Sequence, residues 1–165
     1  MSLYMLHTDI AAELIHGSSV ALDSRISSSS PRELCISAVT RGELLCGLSQ
    51  QWLRKKHEGG GRTLEEVGRH FDITRDRIRS SERAEPLSRL VEQFLIRVPC
   101  LPWDTAAAGH FAMIAVTLHY SGTPIGNIDT MIAAHALALD AVLVTSREDR
   151  FGRVAGLKLE NWTAA

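Results

Sequence analysis

The acids that could act together lie far apart in the chain. Glu43 falls within Ser37-Ala38-Val39-Thr40-Arg41-Gly42-Glu43-Leu44. Asp129 follows Thr123-Pro124-Ile125-Gly126-Asn127-Ile128 and is followed by the apolar residues Met131, Ile132, Ala133 and Ala134. A hard cation such as magnesium takes oxygen ligands and keeps several waters, so its sites draw a few carboxylates from separate elements. Such an ion activates water and neutralises phosphate charge in the transition state of phosphodiester hydrolysis. Each acid alone also has a plainer reading: Glu43 as a solvated helix acid, Asp129 as a helix-start acid favoured by the dipole. The histidines offer no competing zinc pattern. His135 lies six residues past Asp129, on another helix face. No two histidines flank an acid at i, i+4 spacing, so His110, His119 and His135 read as surface or satisfied core residues. Cys35, Cys46 and Cys100 are odd in number and scattered. They suggest buried thiols in a reducing cytosol rather than a zinc site or disulfide framework.

These acids need a scaffold to bring them together. Leu3–Leu6 and Leu34–Ser37 read as short buried strands, as do Val98–Leu101, the apolar run Ala141–Thr145 and, less strongly, Gly156–Glu160. Between them lie helical stretches. Asp9 can cap a helix over Ile10–His16 that Gly17 stops. Others are expected over Ser18–Ile26, from a Thr40 cap through Leu48, and over Leu87–Arg97. Asp104 caps Thr105–Tyr120, and a last helix covers Ile128–Leu139. In Leu87–Arg97 the apolar residues Leu87, Leu90, Val91, Phe94 and Leu95 share one face. Strands alternating with helices predict an α/β fold, with a mostly parallel sheet of about four to five strands covered on both faces. Ligands of such sheets bind beyond the carboxyl ends of the strands. That places a site where His7, Glu43, Asp129 and Ser146 follow their strands or open their helices.

The 165 residues fit one domain, and a hydrophobic content of 45% with only 5% aromatics predicts an aliphatic core. A net charge of −1 argues against a wholly basic nucleic-acid binder. Gln51–Arg83 nevertheless holds nine Lys/Arg against six Asp/Glu, so an acidic body carries a basic segment. There is no basic stretch followed by an apolar run at the N-terminus, and no apolar run reaches the roughly 18 residues of a membrane span. A cytoplasmic protein without membrane contact is expected.

Several ordered blocks resemble the four signatures of PIN domains. They are Tyr4-Met5-Leu6-His7-Thr8-Asp9-Ile10, Ile36-Ser37-Ala38-Val39-Thr40-Arg41-Gly42-Glu43-Leu44-Leu45, the stretch from Pro124 to Ala136, and Leu143-Val144-Thr145. Leu101-Pro102-Trp103-Asp104 and Leu159-Glu160-Asn161-Trp162 resemble VapC toxins in particular. The resemblance covers the chain except for about Gln50–Ser80. It implies a PIN-like three-layer fold and a Mg2+- or Mn2+-dependent endoribonuclease that is neutralised by a VapB-like antitoxin. A homodimer is likewise implied by the family. The implied catalytic residues are Glu43, Asp129 and His7. The implied metal ligands are Asp129, Glu43 and His7, with Asp9 and Ser146 as weaker candidates.

The chain departs from that family at two of the four metal-site positions. His7 stands where the family carries its first metal-binding Asp, and Asp9 takes the following Asn slot. After Thr145, where the family shows Asn or Asp, come Ser146, Arg147, Glu148 and Asp149. A neutral imidazole brings no charge and suits softer metals than magnesium. An inward-pointing Arg147 would repel the cation further. Three outcomes stand open: an inactive site, compensation by Asp9 or Glu148, or a retuned site in which His7 binds manganese or zinc. Asp9 can equally serve as a simple helix cap.

Residues 51–82 read as an insertion within a PIN domain spanning 1–165. Thr63 and Glu66 can form a capping box on a helix carrying Leu64, Val67 and Phe71. Asp72-Ile73 then turns, and Thr74 starts an arginine-rich second helix. This helix-turn-helix pattern resembles the DNA-reading region of primary sigma factors over about seventeen residues. The resemblance implies Thr74, Arg75, Arg77 and Arg79 as candidate nucleic-acid contacts. A helical hairpin without DNA function is the alternative, since one weak module rarely reaches specific affinity alone.

Overall fold

The computed structural model describes residues 2–17, 19–56 and 87–163. The chain opens with β1 (Tyr4–Leu6), α1 (Thr8–His16), α2 (Val20–Ser28), β2 (Leu34–Ser37) and α3 (Ala38–Lys56). After residues 57–86 come α4 (Leu87–Arg97), β3 (Cys100–Leu101), α5 (Thr105–Tyr120), α6 (Asn127–Ala138), β4 (Val142–Val144), the one-turn α7 (Glu148–Phe151) and β5 (Lys158–Glu160). The expected α/β class is observed. Five parallel strands form one sheet in the order β3-β2-β1-β4-β5.

Two-residue periodicity sends neighbouring side chains of each strand to opposite faces. Met5, Cys35 and Leu143 join one core with Ile114 and Leu118 of α5, Ile132 of α6 and Phe151. Leu6, Ile36 and Val144 join the other, with Ile10 of α1, Leu44 of α3 and Phe94 of α4. The result is three layers, with aliphatic side chains dominating both interfaces.

Several local signals act as expected. Gly17 ends α1 at φ 62, a left-handed conformation that costs glycine little, and its N–H bonds to the Glu13 and Leu14 carbonyls. Asp104 caps α5 by accepting from the Ala107 N–H at 3.0 Å.

Two expected caps are corrected. Helix α1 begins at Thr8, so Asp9 lies inside its first turn and His7 takes the cap position. Helix α3 begins at Ala38, and the Ser37 hydroxyl accepts from the Val39 N–H at 3.1 Å. Thr40 is thus a buried residue of the first turn rather than its cap. In both cases the helix starts at or within a residue of the strand end, so the extended residues His7 and Ser37 take the position that the sequence pattern assigned to Asp9 and Thr40. Helix α3 also continues to Lys56, so the first residues of the segment 51–82 prolong a helix. The hairpin expected further on, with Thr63, Thr74, Arg75, Arg77 and Arg79, lies outside the described residues.

Candidate active site

The chain order creates the cleft. From β1 it passes outward to β2 and β3, then crosses back to β4 on the other side of β1. The site lies beyond the carboxyl ends of β1 and β4, at this switch point. His7 follows β1 directly, and its N–H continues the ladder by bonding to the Val144 carbonyl at 3.0 Å. Thr145 and Ser146 follow β4. Glu43 is carried by α3, Asp129 by the first turn of α6, and Arg147 and Arg150 by the turn around α7.

His7 occupies the centre. Its Nδ1 is 2.9 Å from Asp9 Oδ1 and its Nε2 is 3.2 Å from Asp129 Oδ1. Both ring nitrogens thus face carboxylate oxygens, which accept and cannot donate when ionised, so the geometry calls for an imidazolium. The Asp9 N–H also lies 3.4 Å from Nδ1, a contact that would need an unprotonated nitrogen. The shorter, charge-assisted bond to the carboxylate decides between the two. His7 is 2% exposed, and the buried Phe151 ring packs edge-on at 4.8 Å. Burial by itself would push the imidazole down. The hydrogen bonds to Asp129 and Asp9 and the charge on both outweigh it, raising His7 from 6.5 to about 9.

The acids respond to their partners. Burial would raise Asp9, but the His7 bond and charge, with the Ser146 contacts, hold it well below the usual carboxylate range. Its Oδ1 also accepts from the Ile10 N–H at 2.7 Å. Its Oδ2 accepts from Thr145 Oγ1 at 3.0 Å, the Ser146 N–H at 3.0 Å and Ser146 Oγ at 2.7 Å. Burial likewise opposes ionisation of Asp129, yet His7, Arg150 and Arg147 lower it. Arg150 Nη1 donates to Asp129 Oδ2 at 2.8 Å, and Arg147 Nη1 lies 3.2 Å from the same oxygen. Glu43 behaves differently. It accepts from the Thr8 hydroxyl, whose oxygen lies 3.4 Å from Thr40 Oγ1, and burial raises its carboxyl.

The structure therefore brings His7, Asp9, Asp129 and Ser146 into one bonded network, with Glu43 tied to its edge through Thr8. Among the described residues, the Glu148 side chain makes no bond to this network, and its carboxylate accepts from Asn161 Nδ2 at 3.2 Å. His135 is a satisfied core residue, 2.9 Å from Ser37 Oγ through Nδ1. Arg150 was not anticipated as a site residue. The available signal was its spacing from Arg147, three residues on, which puts both on one side of a helical turn after β4.

The carboxylates present do not fit a resident magnesium or manganese ion. Among the described residues, no group of three or more His, Cys, Asp or Glu side chains is arranged to hold a metal. Two carboxylate oxygens offer about four lone-pair positions. Asp9 already meets five donors and Asp129 meets His7 and two guanidinium groups. The acceptor positions of Asp9 and Asp129 are thus occupied by the protein itself, whereas Glu43 accepts from the Thr8 hydroxyl.

Comparison with known proteins agrees with this architecture. The family model for the PIN domain matches residues 4–157. A tRNA(fMet)-specific endonuclease VapC of Shigella flexneri is 28% identical over 163 residues, covering 99% of this chain and 100% of the relative. The VapBC-1 structure from nontypeable Haemophilus influenzae is similar with TM-score 0.70 and 29% identity, covering 98% of this chain and 99% of that one. A DNA-bound VapBC structure from Salmonella typhimurium has TM-score 0.69 and 26% identity, covering 98% and 99%. With the sheet order, the acids at its switch point and a match over nearly its whole length, this chain belongs to the PIN domain family.

Proposed function

We propose that this chain is a VapC-type toxin of a type II toxin–antitoxin system: an endoribonuclease scaffold whose phosphodiester hydrolysis is weakened or lost. The observation that carries the reading is Asp9, Glu43 and Asp129 gathered at the switch point of a PIN-type sheet. The similarity to VapC relatives along nearly the full chain supports the toxin class. RNA is then the substrate class and a VapB-like antitoxin the partner, with a homodimer as the working assembly in the cytoplasm. Residues 1–165 form one PIN domain in this reading, with 51–82 as an insertion.

His7 carries the weakening. It puts a cation where the family places an anion. Cleavage of RNA by the purified protein in Mg2+ or Mn2+ tests this, with initiator tRNA as the first substrate because a relative is named for it. His7→Asp is expected to raise the cleavage rate by at least about tenfold, the equivalent of about 1.4 kcal/mol in the barrier. Asp129→Ala in that background should remove the gain. Equal cutting by parent and His7→Asp would acquit His7.

A second reading is favoured by the arginines on Asp129. In it the chain is a non-catalytic PIN module that engages an antitoxin, or DNA through Thr74, Arg75, Arg77 and Arg79 of the insertion. Saturable, salt-sensitive DNA binding lost on deleting residues 62–79 supports that role. Binding that is absent, or indifferent to the deletion, removes it.

A further inference from the structure

We infer that His7, Arg147 and Arg150 form a built-in counter-cation set that takes the place of a divalent ion, so that the acidic cluster is complete without metal. The inference rests on reading Asp9, Glu43 and Asp129 as the family's acidic positions, and it adds what holds them together here.

Three observations carry it. First, the cations sit on the acids directly. His7 bridges Asp9 and Asp129 through both ring nitrogens, and Arg150 and Arg147 converge on Asp129 Oδ2 at 2.8 and 3.2 Å. Second, the acceptor positions are used up. Asp9 receives its five donors from four residues, two of which, Thr145 and Ser146, belong to the strand end that should supply a metal ligand. A divalent ion must displace such donors before it can bind. Third, the displacement is obstructed. His7 is buried beneath Phe151, and turning its ring away would cost Asp9 the cation on its Oδ1 and Asp129 one of three cationic partners. The arginines are held as well: Arg150 Nη1 is also 3.4 Å from the Ile125 carbonyl, and the Arg147 N–H donates to Thr145 Oγ1 at 3.1 Å.

The three cations work as a set. An aspartate at position 7 would face Asp9 and Asp129 as a third buried carboxylate, and like charges at that range cannot all ionise without a cation. Histidine at the same place supplies the cation from within the fold. Arg150 then neutralises Asp129 Oδ2, which His7 does not reach, and Arg147 lies against both oxygens at 3.2 and 3.5 Å.

Manganese titration of the purified full-length protein, followed by electron paramagnetic resonance of the free ion and by thermal melting, tests the inference without reference to activity. The unaltered protein is expected to show no saturable Mn2+ site and the same melting temperature in Mn2+ and in EDTA. One saturable Mn2+ site that is lost in Asp129→Asn would overturn the inference and leave the toxin reading standing. His7→Asp is expected to bind Mn2+ at least about tenfold more tightly than the parent, which corresponds to about 1.4 kcal/mol. It should melt lower in EDTA and recover with Mn2+. A folded His7→Asp that binds no more Mn2+ than the parent also overturns it. Should His7→Asp fail to fold, Arg147→Gln/Arg150→Gln frees Asp129 at partly exposed positions and is expected to gain weak Mn2+ binding; no gain counts against the inference. If His7→Asp binds manganese yet cuts no RNA, the ribonuclease reading falls and the counter-cation set stands.

Discussion

The two flanks of the acidic cleft meet the same electrostatic problem with opposite results. On the β1–β4 flank, Asp9 and Asp129 are buried against His7, with the arginines completing the contacts of Asp129, and both are held ionised. On the α3 flank, Glu43 has a hydroxyl partner in Thr8, and burial shifts it toward protonation. All three acids lose water. The difference lies in whether a cation or a neutral donor replaces it, because burial penalises charge and a close opposite charge restores it. The contrast teaches that acids grouped at one sheet end need not act as one ligand set.

The comparison can be broken most forcefully at Asp129. Asp129→Ala leaves His7, Arg147 and Arg150 with one fewer carboxylate among them, and is expected to destabilise the fold by about 3–5 kcal/mol in urea unfolding. A loss below about 1 kcal/mol would show that the β1–β4 flank contributes little. Ser146→Ala removes a charge-assisted bond from Asp9 but leaves the backbone N–H in place. Its expected cost is about 1.5–3 kcal/mol, read by the same unfolding curves.

The pH dependence sharpens the contrast. His7 is raised from 6.5 to about 9, so its contribution is complete below pH 6.5 and fades as pH rises through about 9. Asp9 and Asp129 are lowered from 3.8, so theirs is present above that value and is lost as pH falls through their folded values. Thermal melting across pH should show a plateau between these limits, and His7→Asn should lack the alkaline decline. A decline that persists in His7→Asn assigns it elsewhere. The smallest effect is expected on the other flank. Glu43 is raised above 4.5, so it favours folding most below that pH and opposes it as pH rises through its folded value. Glu43→Gln should change stability by no more than about 0.5 kcal/mol near neutrality and flatten that slope. A loss comparable to that of Asp129→Ala would erase the distinction between the flanks.

Much of the scaffold was legible in the chain. Leu34-Cys35-Ile36-Ser37 and Val142-Leu143-Val144 are too short and apolar to be anything but buried strands between helical patterns, and they pair in parallel through β1. Some strands are a residue or two shorter than their apolar runs suggest, because residues such as Ala141 pack on the core while their N–H bonds elsewhere, here to the Ala136 carbonyl. The one-turn α7 is not legible in the sequence, since its four residues carry no periodicity. Arg150 lies on that turn and is equally illegible, whereas Arg147 stands directly after the strand-end residues Thr145 and Ser146. Asp9 was read as a weak ligand or a cap. Its five-donor setting depends on Thr145 and Ser146, which are more than 130 residues away in the chain.

By itself, the sequence determined the family and the α/β class and singled out candidate acids, because periodicity and ordered motifs are local properties that survive without coordinates. It also located the anomaly at His7. Only the tertiary structure decided what faces His7. Whether His7 is a poor metal ligand or a counter-cation depends on which atoms face its two ring nitrogens, and those belong to α1 and to α6, 122 residues on from His7. Charge at a buried site is set by neighbours in space, and the parallel crossover that brings β4 beside β1 is what supplies them.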